Sequence, residues 1–244
     1  MLVLAAQANA NGVTARIMQQ GFGNAGLVGL SVDFDWDGTP DLSDPGSIYA
    51  GEFRFLFDAS DPDSSPLAAD LLTSPFMAFC SELEQPAVED QWMTYQIAPI
   101  EQSPVGGTRL ISSDKANDLR ELFGKHRSDV TDAFSGEAFS ACLWEIIYEN
   151  PVNAYDLTAG ALQISQLDGN APTLAAAWLA DILGDVAEYD FGLFALTNDQ
   201  AQDFALASTN WQGSPQPIPE PLTMLTLMGS LAALGAAVRR RLTA

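Results

Sequence analysis

The run "EAFSACLWEIIYEN", Glu137 to Asn150, constrains the fold more than any other stretch of this chain. Wound at about 100° per residue, it carries Phe139, Leu143, Ile146 and Ile147 on one broad face. Cys142 bounds that face on one side, and Ser140 with Trp144 on the other. Apolar side chains thus cover more than half of the circumference. A helix of that kind must be wrapped by other elements, so the chain needs a sizeable partner layer. At 244 residues it is long enough to supply one.

The partner layer is sought in the first half. "GLVGLSVDFDW", "IYAGEFRFLFDA", "PFMAFCSEL" and "DQWMTYQIAPI" are short, rich in aromatic residues and bounded by Gly, Pro and Asp, which predicts strands. "SSDKANDLRELFGKH" predicts a helix with a Ser cap that stops at Gly124. "PTLAAAWLADILG" predicts another, with Pro172 near its start and Gly184 past its end. "YDFGLFALT" returns to strand, and "GFGNAG" is read as a turn. The expected fold class is α+β: an antiparallel β-sheet or sandwich region followed by a small helical region, with a single C-terminal transmembrane helix.

Charge excludes one class of function. The chain has 10 Lys+Arg against 32 Asp+Glu, a formal net charge of −22. Such a polyanion is repelled by nucleic acid and by anionic lipid headgroups. It suits an extracytoplasmic protein or one that collects divalent cations. A single histidine, His126, and two cysteines, Cys80 and Cys142, leave little for a catalytic triad or a zinc site. Pairing Cys80 with His126, or Glu82 with Glu145, has no support from spacing, so the chain is read as non-enzymatic. A secreted hydrolase is the alternative.

Both ends look like export signals. "MLVLAAQANA" closes on the small-x-small run Ala8-Asn9-Ala10, and residues 1–10 are read as the remnant of a signal peptide. An extracytoplasmic domain is expected over 11–213 and a Pro-rich linker over 214–221. Residues 222–238 carry no charge and would form a helix of about 26 Å, near the lower limit for a membrane span. A basic tail, 239–244, follows and would stay in the cytoplasm. Pro219-Glu220-Pro221, the apolar run and Arg239, Arg240 and Arg241 resemble the PEP-CTERM sorting signal of Gram-negative bacteria. That resemblance implies an exosortase-type membrane protease as partner, transient residence in the inner membrane, and transfer to the cell envelope or the extracellular, exopolysaccharide matrix.

"FCSEL" at 79–83, followed by "AFSACLWEIIYE" at 138–149, is similar to the thioester-domain family of bacterial surface adhesins. The resemblance runs over about residues 45–207 and includes "YAGEF", "MTYQIAPIE" and "AQDFALA". In that family a strand cysteine bonds covalently to a helix glutamine, forming a thioester that surface nucleophiles open. Cys80 stands at the cysteine position. Leu143-Trp144 sets the register that puts Ser140 at the glutamine position, and serine has no carboxamide to give. Gln163 lies outside the motif. The resemblance therefore implies a degenerate module acting by adhesion or matrix association, with a covalent adhesin using Cys80 and another acyl donor as alternative. Cys80 and Cys142 are either a disulfide, as export favours, or two buried thiols. On the helix Cys142 points about 160° away from Ser140, which argues against a bridge.

"DFDWDGTPDLSD" places Asp33, Asp35, Asp37, Asp41 and Asp44 at calcium-loop spacing, with Gly38 at the turn. The alternative is a strand over 31–37 with Phe34 and Trp36 facing a core and solvated aspartates.

Overall fold

The structure is a computed structural model that describes residues 13–103, 110–184 and 189–209. Two long strands, β1 (Val13–Val32) and β2 (Leu42–Phe57), pair antiparallel along most of their length. Shorter strands follow: β3 (Phe76–Cys80), β4 (Trp92–Pro99), β5 (Leu162–Ser165), β6 (Gly192–Thr197) and β7 (Phe204–Ser208). Between them come helices α1 (Pro66–Leu71), α2 (Ser113–His126), α3 (Ala133–Tyr148) and α4 (Ala171–Ala180).

All seven strands belong to one sheet of order β2-β3-β7-β6-β4-β1-β5, and β1 also pairs with β2. Six strands therefore close a ring, every neighbour antiparallel, and β5 extends it along the far half of β1. Closure removes the free edges of those six strands where they pair. Bends in β1 make it possible. The register with β2 shifts between Gln19 and Phe22, Phe22 and Ala25, and Val28 and Leu30. "GFGNAG" is thus an irregular part of β1, where glycines let the strand turn without ending it. Opposite it, Gly51 has φ of 136° and would drive a Cβ into the Asn24 carbonyl and Ala25, so no other residue fits.

Inside the ring, the Phe204 ring of β7 meets Phe53 at 5.2 Å and Phe55 at 4.7 Å, both of β2, and Tyr95 of β4 at 6.3 Å. Each buried phenyl contributes about 1.5–3 kcal/mol. Ala78 and Cys80 lie opposite Phe53 and Phe204 in the ladders and share their face. Phe79 points the other way, against Phe139 of α3 at 4.4 Å and Phe123 of α2 at 5.9 Å. Helix α3 is buried at every position from Ser135 to Tyr148. Asp132 starts it with a capping box, accepting from the Ser135 amide at 2.8 Å. Helix α2 begins at the expected cap, Ser112, but passes through Gly124 to His126. The Tyr189 ring occupies the space that a side chain at 124 would need.

The expected fold class is corrected. The chain is mostly antiparallel β-sheet with a few helices, not a sheet region followed by a helical one. Strands β6 and β7 come after every helix, yet they sit in the ring between β3 and β4, so the helices are insertions in one closed sheet. Among the described residues no helix is long and apolar enough to cross a membrane. The longest described helix, α3, packs its apolar faces on the ring, α2 and α4 instead. The proposed signal remnant at 1–10, the linker at 214–221, the span at 222–238 and the tail at 239–244 lie outside the described residues.

Replacing Phe204 with alanine is expected to cost about 3–5 kcal/mol, read from the urea midpoint. A loss below about 1 kcal/mol would mean that the four rings are not the centre of the ring's packing.

Candidate functional site

Strand β3 ends at Cys80, and one edge of α3 docks there. The Trp144 indole Nε1 donates to the Cys80 carbonyl at 2.9 Å. One turn earlier, the Ser140 hydroxyl accepts from the Gly51 amide at 2.7 Å and faces the Gly51 carbonyl at 3.3 Å. Extending the β2–β3 register by one pair sets Gly51 opposite Cys80. The positions that the family resemblance pairs, 80 and 140, are thus held on and against neighbouring strands. Their side chains are otherwise engaged. The Cys80 thiol donates to the Glu82 carbonyl at 2.8 Å, and the Ser140 hydroxyl serves the Gly51 main chain.

Cys80 is 1% exposed, and burial pushes its thiol up to about 12, so almost no thiolate is present at neutral pH. Cys142 is also buried, and burial raises its thiol strongly. Its sulfur lies on the other side of α3, 3.4 Å from the Ala175 carbonyl of α4. Both cysteines are free. Gln163 sits exposed on β5, hydrogen-bonded to Gly160 at 3.5 Å, while Cys80 is enclosed. His126 stacks on Trp178 at 5.1 Å and faces Asp129 and Asp181 at 3.4 and 3.3 Å.

Around Cys80 lies a polar cluster that the sequence does not announce. Glu82 and Asp203, both fully buried, meet where the Asp203 amide donates to Glu82 Oε2 at 3.2 Å. Asp203 accepts from the Ser103 hydroxyl at 3.2 Å and the Asn198 amide at 2.8 Å. Gln202 Nε2 donates to the Glu82 carbonyl at 2.8 Å. Glu82 Oε1 has no hydrogen-bond partner among the described residues. Burial, and then the neighbouring Asp203 charge, push the Glu82 carboxyl up to about 8. Glu145 is pushed up to about 8 as well, chiefly by burial, while its Oε1 accepts from the Asp156 amide at 2.6 Å. Glu82 and Asp203 are more than a hundred residues apart in sequence, and the β3–β7 pairing brings them together.

The acidic loop leaves β1 at Val32. Asp33, Asp35 and Asp37 each offer a carboxylate oxygen within 4.8 Å of the others. Asp33 also accepts from the Asp37 amide at 3.2 Å and the Gly38 amide at 2.7 Å. At Asp35 the Asp37 amide pulls the carboxyl down, but desolvation and the Asp37 and Asp41 charges outweigh it and leave it raised. Asp41 accepts from the Phe34 amide, and Asp44 from Gly46 and Ser47. Hydrogen bonds to Ser47 and Gly46 hold Asp44 below its ordinary value. Five carboxylates at calcium-loop spacing therefore split into three that converge and two that close turns.

No protein-family model and no curated protein matches the chain. Among solved structures, the N-terminal thioester domain of a surface protein from Clostridium perfringens is similar, at 10% identity and a TM-score of 0.40, covering 80% of this chain and 98% of that one. A likeness this loose bears no functional argument.

Burial gives the fold an unusual pH dependence. Glu82 and Glu145 have folded values near 8, against about 4.3 in an unfolded chain. Their contribution is fully present below the unfolded value and is lost as pH rises through about 8. The urea midpoint is expected to fall from pH 5.5 to pH 8.5. Glu82→Gln should flatten that fall, and an unchanged slope in this variant would show that Glu82 is not protonated in the fold.

Proposed function

We propose that this protein is an exported, non-enzymatic module that works at the cell surface or in the exopolysaccharide matrix by adhesion or association. Its thioester-like site is degenerate. The observation that carries this reading is the pair of hydrogen bonds at the site: Ser140 on the Gly51 main chain, and the buried Cys80 thiol on the Glu82 carbonyl. A side chain with no acyl group to give faces a strand end whose thiol is kept protonated. Covalent capture lacks both its electrophile and its nucleophile there, which leaves non-covalent binding. The strong negative charge suits an extracytoplasmic setting and cationic or cation-bridged partners.

Sorting rests on the sequence of the C-terminal segment. The Pro219-Glu220-Pro221 motif with Arg239, Arg240 and Arg241 supports recognition by an exosortase-type membrane protease of a Gram-negative bacterium, followed by transfer to the envelope or matrix. The spacing of Asp33, Asp35 and Asp37 supports a weak calcium site as a second feature. Three converging carboxylates fall short of the six to eight oxygens that calcium takes, so affinity should lie at about 10⁻⁴–10⁻³ M.

Intact mass tests the central claim. The folded domain should show the unmodified mass, whereas an internal thioester would remove about 17 Da as ammonia. A thiol reagent should label neither cysteine in the native protein and both in denaturant. A native mass deficit, or rapid native labelling of Cys80, would refute the reading. In an exosortase-bearing host the chain should be shortened, and changing Pro219-Glu220-Pro221 to alanines should leave it full length. Equal processing of both forms would remove the sorting proposal. Calcium calorimetry should give heat that Asp35→Asn with Asp37→Asn abolishes, and no heat at millimolar calcium would dismiss the site.

A further inference from the structure

A cleft of about 950 Å³ opens beside α4, away from Cys80 and Ser140, and neither the degenerate site nor the sorting signal uses it. Its size falls within the roughly 300–1,000 Å³ range of small-molecule sites. One wall is α4, with Ala176 and Leu179. The opposite wall is the loop 151–158, and Ile164 of β5 and Leu183 complete the apolar lining.

Three buried glutamates preform those walls. Glu145 of α3 accepts from the Asp156 amide at 2.6 Å, and Glu149 accepts from Asn153 Nδ2 at 2.5 Å. Glu121 of α2 accepts from the Leu183 and Gly184 amides at 3.1 and 3.0 Å. All three carboxylates are essentially inaccessible, so the loops are tied to the rigid helix layer rather than to solvent. A site held this way loses little freedom when it binds.

The charged side chains that line the cleft have one sign. Asp118 of α2 takes a 2.5 Å hydrogen bond from the Tyr155 hydroxyl on Oδ2, and Asp156 is bonded to Thr158. Bonds from the Thr158 hydroxyl and amide hold Asp156 below its ordinary value, so it stays ionised. No Lys, Arg or His lines the cleft among the described residues. Desolvation raises the Asp118 carboxyl, and an ammonium beside it would favour its ionised form. An anionic ligand would meet repulsion from Asp156 and from the whole chain, whereas a cation would be drawn in.

From this charge complementarity we infer that the cleft between α4 and loop 151–158 binds a small amphiphilic amine, its apolar body against Leu179, Ile164 and Leu183 and its ammonium at Asp118. The inference is independent of the proposed surface role, since it uses neither Cys80 nor the C-terminal motif.

Phenethylamine, 2-phenylethanol and phenylacetate test it, titrated into the full chain and followed by amide chemical shifts. The amine should bind saturably, with shifts concentrated in residues 151–184 and around Asp118. The alcohol should bind at least fivefold more weakly, and the carboxylate not measurably. Asp118→Asn keeps the bond from Tyr155 and should weaken amine binding at least fivefold. Ala176→Phe, at an exposed position on the cleft wall, should abolish it with an unchanged melting temperature. Equal binding of amine and alcohol, shifts elsewhere, or no saturation by any of the three would overturn the assignment.

Discussion

Burying α3 on all sides creates a demand that shapes the surrounding loops. Its glutamates have left water, and an unpaired buried carboxylate costs several kcal/mol. Each is met by main-chain donors from elsewhere: Glu137 by the Asp168 amide, Glu145 by Asp156, and Glu149 by Asn150 and Ala161. The end of the helix makes the same demand in reverse, because its last carbonyls lack amide partners. Lys115 Nζ, itself buried, donates to the carbonyls of Ile147 and Glu149, and the Trp36 indole donates to that of Tyr148. Loops from several parts of the chain are therefore fixed by one helix. The price of enclosing polar groups in a core is offset by the order they impose.

The same enclosure decides the chemistry at Cys80. A reactive thiol needs a cation or a helix N-terminus nearby and some access to solvent. Cys80 instead faces the ring interior beside Phe204, with Asp203 and the buried Glu82 carboxyl nearby rather than a cation. Serine at 140 fits this setting physically. Its short hydroxyl satisfies the Gly51 main chain at a point where the backbone conformation admits only glycine. A longer side chain on that edge of α3 would need room between helix and strand that the Ser140–Gly51 contact fills.

What could be read from the sequence follows how local each signal is. The existence of α3 and the opposed directions of Ser140 and Cys142 follow from helical spacing alone, and the structure agrees. Closure of the sheet does not follow, because it depends on bulges in β1 and on the short, pattern-poor strand "FALAS" that joins β3 to β6. Periodicity also misleads at Glu137, Glu145 and Glu149. A charged residue on an amphipathic helix is assigned to water, and only the tertiary structure shows amides waiting for it. The Glu82–Asp203 pair has no local signal at all.

Trp36 links this logic to the acidic loop. Aromatic residues between alternating aspartates are unusual for a cation loop, and as a strand they would face a core. Phe34 does pack on the core, its ring 5.3 Å from Tyr148, but no strand carries it. The strand ends at Val32, and Trp36 adopts a φ of 61°, which a bulky residue takes only when its surroundings demand it. The demand is visible: the indole caps Tyr148, and Lys115 Nζ sits 5.4 Å from its ring. The loop is thus folded as part of the α3 terminus, with its aspartates closing turns on their own amides. An ion arriving at Asp33, Asp35 and Asp37 would find the backbone already shaped. Calcium binding should therefore change the loop's conformation little, and the stability it adds should come from relieving carboxylate repulsion rather than from ordering the chain.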